Sequence, residues 1–335
     1  MSFGKLFGRL IQLFPVLLGV GIIVFFMTEL TPGDPVEIML GDSHVTEEQE
    51  IALRHDMGLD LPVHERFVKF LTNTATGNFG LSYFHRRPVA DVIAERLPAT
   101  IELSLVALIF ALITSIPLGV LAAIKKNTLL DRVATVGSLF GVSMPGFWFG
   151  ILLLLLFAVK LQWLPVSGRI SYDIEVPIVT GFLLIDTLLD GNWTGFKDAF
   201  KHIFLPAVTL GLPMAAILTR VTRTSMLEVI NQDYITFAEA KGLRKRSIIF
   251  KHALKNALIP TITVAAIETG SLLGGNMIVE TVFGWPGLGR LVVESIFIRN
   301  YPLVQAAVLF YAVTYVLLNF VADILYTKMN PRVEL

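Results

Sequence analysis

Ile101-Glu-Leu-Ser-Leu-Val-Ala-Leu-Ile-Phe-Ala-Leu-Ile-Thr-Ser-Ile-Pro-Leu-Gly-Val-Leu-Ala-Ala-Ile124 contains one charged residue, Glu102, and is followed at once by Lys125-Lys126. A helix needs about 20 predominantly apolar residues to cross the hydrocarbon core of a bilayer, and this stretch suffices. Five others do as well: 9–30, 133–159, 204–227, 257–281 and 303–326. The 335-residue chain is 54% hydrophobic and only 16% charged, with a mean hydropathy of +0.69. A soluble surface needs far more charge, so the second solvent is lipid. Only 31–100 and 160–203 leave room for folded structure outside the spans. The expected fold is all-α and transmembrane, a six-span bundle with an extended outer loop after the first span.

The first span, preceded by Lys5 and Arg9, has the outline of a signal peptide. It is read as retained, because Glu29-Leu-Thr-Pro-Gly-Asp34 follows with no small-x-small cleavage pattern. There is no cysteine, so disulfides, thiol chemistry and Cys-ligated metal are excluded. Formal net charge is zero, but its distribution is not even. If the N-terminus is cytoplasmic and six spans alternate, the inner segments 1–9, 125–132, 220–256 and 327–335 hold about 15 Lys/Arg against roughly 5 acids. The outer segments hold about 12 basic and about 20 acidic residues. Both termini are therefore expected inside. The expected organisation is an N-terminal span (1–30), an outer loop with short helices (31–100), a five-span core (101–326) including an inner loop at 220–256, and a cytoplasmic tail (327–335).

In the long outer loop, Thr46 with Gln49 three residues on predicts a capped helix that runs to Gly58. A second helix begins at Leu61-Pro62, with Phe67, Phe70 and Leu71 on one face, lying on the membrane surface or against the bundle. Pro117, Pro145, Pro206, Pro213 and Pro260 fall inside or at the ends of spans and mark bends in a packed bundle.

The inner loop between spans four and five carries the most specific pattern. Asp233 is placed as N-cap of a short helix over 234–241, Lys241 faces the C-terminal dipole, and Gly242 fits the left-handed position after it. Arg244 to Asn256 predicts a second helix leading into span five. Tyr234, Phe237, Ala238 and Lys241 fall on one face. Such a helix either docks in a groove of another protein or lies on anionic lipid; the residues alone leave both open.

This loop resembles the signature loop of ABC-importer permeases: Gly242, Ala238 and Leu254 match its glycine, second alanine and leucine. Thr236, Phe237, His252 and Lys255 depart from it as in the peptide-transporting branch. Thr31-Pro-Gly-Asp-Pro-Val36, Leu97-Pro-Ala-Thr-Ile-Glu-Leu103, Ser143-Met-Pro-Gly-Phe-Trp148, Leu164-Pro-Val-Ser-Gly-Arg169, Glu280-Thr-Val-Phe-Gly-Trp-Pro-Gly-Leu-Gly-Arg290, Asn300-Tyr-Pro302 and Asn330-Pro-Arg332 extend the resemblance to B-type subunits of the dipeptide and oligopeptide permeases over nearly the whole chain. Thr180-Gly-Phe-Leu-Leu-Ile-Asp186 is similar to the dipeptide type. The resemblance implies a type I importer permease in the bacterial inner membrane. It also implies a homologous C-type permease, two cytoplasmic ATPase subunits that bind ATP and Mg, a periplasmic substrate-binding protein and a peptide substrate; lipid is the remaining partner and nucleic acid is not one. Tyr234, Phe237, Ala238, Lys241, Gly242 and Arg244 are then the candidate ATPase-coupling residues, and 164–169 and 283–290 a candidate gate or docking face. The same plan serves nickel chelates, glutathione, haem, antimicrobial peptides and oligosaccharides.

No Gly-x-x-x-x-Gly-Lys-Ser/Thr loop occurs, so ATP hydrolysis and its cofactors are expected in partners and not in this chain. No catalytic constellation is found, and His44, His55 and His64 match no metal-ligand spacing. Glu268 falls in mid-span, where a carboxylate faces the bundle interior or a water-filled cavity; it is the first candidate for the translocation path. Glu102, at the outer entrance of span two, is read as a helix-start carboxylate favoured by the dipole and is the second candidate. A stand-alone secondary transporter is the competing class.

Overall fold

The computed structural model describes residues 3–30, 36–37, 46–273 and 276–329. Most of the Thr31–Val36 motif, together with His44 and the Asn330-Pro-Arg332 motif, lies outside them. The described residues are helical, with no strand beyond one isolated bridge between Leu81 and Pro88. The helices are α1 (Phe3–Glu29), α2 (Glu47–Asp56), α3 (Val63–Ala75), α4 (Val89–Ile124), α5 (Leu129–Ser143), α6 (Gly146–Lys160, π-helical from Leu154), α7 (Leu183–Leu189), α8 (Trp193–Ile230) and α9 (Asp233–Ala240). Then follow α10 (Lys245–Leu273, with a π-helical turn at Ile248–Ala253), α11 (Met277–Val282), α12 (Leu288–Phe297) and α13 (Tyr301–Met329).

Helices α4, α8, α10 and α13 are each long and apolar enough to cross a membrane. The expected continuous span 133–159 is instead broken: α5 and α6 meet at an angle of 105°. At the break stands Pro145, which disfavours the helical region for the residue before it; Met144 sits at φ −83°, ψ 134° and ends α5. The first apolar stretch lies in the 27-residue α1, within which Phe14–Glu29 is apolar. The fifth span ends its helix at Leu273, short of the expected 281, and Met277–Val282 forms a separate short helix. The second span starts earlier than expected, at Val89. By contrast, Pro206 and Pro213 sit inside the unbroken α8.

The chain divides into two compact units, Met1–Pro98 with Gly287–Thr314, and Ala99–Pro286 with Tyr315–Leu335. In the first, Thr46 directly precedes α2, its carbonyl accepting from the Gln49 N–H at 3.0 Å, while the Gln49 side chain reaches back to accept from the Thr46 N–H at 3.2 Å, the Gln half of a capping box. The apolar face of α3 lies on α1, with Phe67 and Phe70 at 5.2 and 5.6 Å from the Phe25 ring; beside them Arg66 pairs with Glu29. Asn300 bridges to the 80s loop, donating to Ser82 Oγ at 2.7 Å and accepting from the Tyr83 N–H at 3.2 Å.

The second unit is assembled on α8, whose apolar window is 67% buried, against 33%, 28% and 22% for α4, α10 and α13. Lipid supplies no hydrophobic drive between helices, so they associate through small residues that let backbones approach. A Cβ at Gly211 would stand 2.7 Å from the Ala107 carbonyl oxygen on α4, and one at Gly119 would stand 2.6 Å from Thr222 Cβ. We expect Gly211→Val to force α4 and α8 apart and cost about 1–3 kcal/mol, read as a lower melting temperature of the detergent-purified chain; an unchanged melting temperature would contradict this packing.

Candidate functional site

The loop between α8 and α10 forms the short helix the sequence predicts, with one correction at its start: Gln232 is the N-cap and Asp233 the first helical residue. At its end Gly242 adopts φ +74°, the conformation only glycine takes without strain. Its N–H donates to the Glu239 carbonyl at 2.8 Å, and that of Leu243 to Ala238 at 3.3 Å. These paired bonds close the last turn as a Schellman motif.

The expected common face is corrected by the structure. Ala238 is buried, together with Ile235 one turn earlier, in a cluster with Val120, Ala123, Met226, Val229, Ile248 and Ala253. Tyr234, Phe237 and Lys241 lie on the outward side, Phe237 being 60% exposed, with Lys241 Nζ 4.4 Å from the Phe237 ring centroid. The helix is thus riveted from beneath and presents an aromatic and cationic edge. Arg244 is the N-cap of α10, and with Lys245 and Arg246 is exposed. Tyr234 Oη accepts from Asn256 Nδ2 at 2.7 Å and reaches the His252 carbonyl at 3.5 Å, so α9 is tied directly to the π-helical turn.

Glu268 is half-buried and lines a cleft of about 520 Å³ with Phe147, Thr209, Pro213, Ser271 and Asn276. Glu102 proves to be a different kind of residue. Helix α4 begins at Val89, so Glu102 is not in a first turn, and the dipole reading is overturned. It is 4% exposed, accepting from Arg169 at 2.5 Å and from the Leu184 N–H at 2.7 Å. Both oxygens are occupied in holding the segment between α6 and α8 to α4. Arg169 also lies 5.5 Å from the Trp285 ring, Trp285 Nε1 donates to the Ala99 carbonyl at 2.9 Å, and the Gly168 N–H donates to Phe283 at 3.1 Å. Segments 164–169 and 283–286 are therefore packed together. Burial pushes the Asp186 carboxyl up, but the Thr180 hydroxyl and the backbone N–H groups of Thr180 and Gly181 outweigh it and hold it below the ordinary carboxylate value.

Residues 115–335 match the family described as the binding-protein-dependent transport system inner membrane component, and residues 3–104 match its N-terminal region. The chain belongs to this family. It is 44% identical over 97% of both chains to the di/tripeptide transport system permease protein DppB of Pseudomonas aeruginosa (strain UCBPP-PA14). It is 41% identical, again over 97% of both, to the dipeptide transport system permease protein DppB of Escherichia coli (strain K12). The glutathione transport system permease protein GsiC of the same strain is 37% identical over 97% of both chains. The permease is thus a multi-pass membrane subunit of a binding-protein-dependent importer.

Two residues of this permease were misplaced or missed by sequence reasoning. Arg220 and Arg223 were assigned to the inner loop; both lie within α8, which runs on to Ile230. Arg223 makes a bidentate pair with Asp131 at 2.5 and 2.9 Å. Arg220 lines a second cavity, of about 550 Å³. The only available signal was the cost of charge so close to an apolar run.

Because the folded Asp186 carboxyl titrates below its unfolded value, its contribution to stability is full above about pH 4 and fades as pH falls through the folded value. We expect Asp186→Asn, which aims an NH2 group at those donors, to lose about 1–3 kcal/mol at pH 7. The deficit against the wild type should shrink on acidification, as followed by thermal unfolding across pH; a deficit independent of pH would refute the assignment.

Proposed function

We propose that this permease moves di- and tripeptides across the bacterial inner membrane as one half of a two-permease pathway. The observation that carries the reading is the 41–44% identity, over 97% of both chains, to permeases named for dipeptide and di/tripeptide transport. A homologous C-type permease completes the pathway, a periplasmic binding protein delivers peptide to the outer face, and both termini are cytoplasmic. Two ATPase subunits bind and hydrolyse ATP with Mg; this chain has no phosphate loop and does not.

The geometry of α9 fits coupling to such ATPases. A helix that is to transmit force must be gripped on one side and rigidly fixed on the other. Ile235 and Ala238 fix it to α4, α8 and α10; Tyr234, Phe237, Lys241 and Arg244 are left for the partner. Closure of the ATPase pair on ATP displaces α9, and the clustered inner ends of α4, α8 and α10 move with it to open the bundle outward. Glu268, in its cleft, meets the peptide's ammonium group. Glutathione is the second reading of the substrate, on the strength of the 37% identity to GsiC.

A mild-detergent pull-down from the native membrane should recover a second permease and P-loop ATPases; recovery of this chain alone, transporting in liposomes without ATP, would end the importer reading. Phe237→Glu and Gly242→Glu should lower ATPase recovery and peptide uptake by about tenfold or more, the scale on which a central aromatic anchor contributes to an interface. Full uptake with normal ATPase recovery in both would overturn the coupling assignment.

A further inference from the structure

On the walls of the second unit, Glu268 on α10 and Arg220 on α8 have no hydrogen-bond or ion-pair partner among the described residues, and neither has Glu228 further along α8. Glu268 and Arg220 line successive cavities bounded by the same elements, the first including Gly146, Pro213 and Glu268, the second Ser143, Arg220 and Pro260. Ser143 and Gly146 flank the Met144-Pro145 break. The cavities are therefore consecutive levels of one groove between α5–α6, α8 and α10. Glu268 falls in mid-span, where an ionisable group marks a substrate pathway because its cost in lipid is relieved only by water or a counter-charge; Arg220 lines the next cavity along.

The spacing of the two charges is informative. Pro213 and Arg220 stand about 10 Å apart along α8, and Glu268 and Pro260 about 12 Å apart along α10, at 1.5 Å per residue. Each extended peptide residue spans about 3.3–3.6 Å, so a dipeptide covers about 7 Å and a tripeptide about 10 Å. The Arg220 side chain is long enough to take up the difference, and its planar guanidinium matches a carboxylate in bidentate fashion. The nearest competing acid on α8, Glu228, lies two turns further on and also lines the second cavity.

We infer that Glu268 and Arg220 form a two-ended site for a zwitterionic di- or tripeptide in transit, with the ammonium at Glu268 and the free C-terminal carboxylate at Arg220. The site rests on the peptide reading above and deepens it. Peptide in the groove supplies the counter-charge that each side chain lacks, and both ends are engaged only when the backbone between them is short. Longer peptides satisfy one end at a time.

The test uses the intact importer, this permease with its partner subunits and binding protein, in proteoliposomes with labelled alanyl-alanine and trialanine. Arg220→Gln should reduce the catalytic efficiency of uptake (kcat/KM) about tenfold, as for loss of a charge-assisted bond, whereas Arg220→Lys, which keeps the charge but loses the bidentate fork, should fall between the Gln variant and the wild type. Glu268→Gln should lose a similar amount. The double Gln variant should lose less than the product of the single losses, because one ligand joins the two residues. Recovery of the assembled complex is checked for each variant by pull-down. Wild-type uptake with Arg220→Gln, a Lys variant as impaired as the Gln variant, or losses that multiply would each overturn the two-ended site. Failure of the wild-type importer to take up either peptide would instead overturn the peptide reading itself.

Discussion

Backbone contact along α8 is the constraint on which the second unit depends. Hydrocarbon tails are as apolar as leucine, so helices in lipid gain little from hiding apolar side chains and must gain from proximity. Gly211 against Ala107 and Gly119 against Thr222 bring α4 onto α8. Gly150 against Thr209 and Gly141 against Ala216 bring the two halves of the broken span onto it. A hydrogen bond of 3.0 Å between Thr222 and Thr261 adds α10. With these neighbours held against α8, the groove walls and the seat of α9 follow.

Charge is placed on this frame in two ways. Asp131 with Arg223 and Glu102 with Arg169 are pairs whose acids are almost fully buried. Each joins elements that lie far apart in sequence, and removing one partner would strand the other in a low-dielectric surrounding. Glu268 and Arg220 face the groove. The first kind of charge makes the structure stiff; the second leaves electrostatic work undone until a ligand arrives.

The spans were legible in the sequence because twenty apolar residues have few other uses, and α9 because its stop at Gly242 needs a left-handed residue. Long-range pairing was not legible. Nothing local to Glu102 announces Arg169, so its carboxylate was read by its position near an apolar run and taken for the start of a helix that begins at Val89. Arg220 and Arg223 look like loop residues by charge alone, since the acid that neutralises Arg223 lies in α5. Ala238 illustrates a subtler limit. An alanine is compatible with either face of a short helix, and only the cluster around Ile235 decides which one it takes. Pro145 declared a break, but its 105° angle depends on what the second half packs against.

The π-helical turn at Ile248–Ala253 stands between the seat of α9 and the rest of α10. Relative to an ordinary helix, a π-turn accommodates one extra residue, and each residue of an α-helix advances the azimuth by about 100°. The turn therefore acts as a phase shifter: it sets which compass direction every later side chain of α10 faces. Shortening it by one residue would keep composition, length of apolar run and the sequence of α9 almost unchanged, yet would rotate Glu268 by more than a quarter-turn away from Pro213. Direction in this permease is thus encoded by a count of residues, and not only by their kinds.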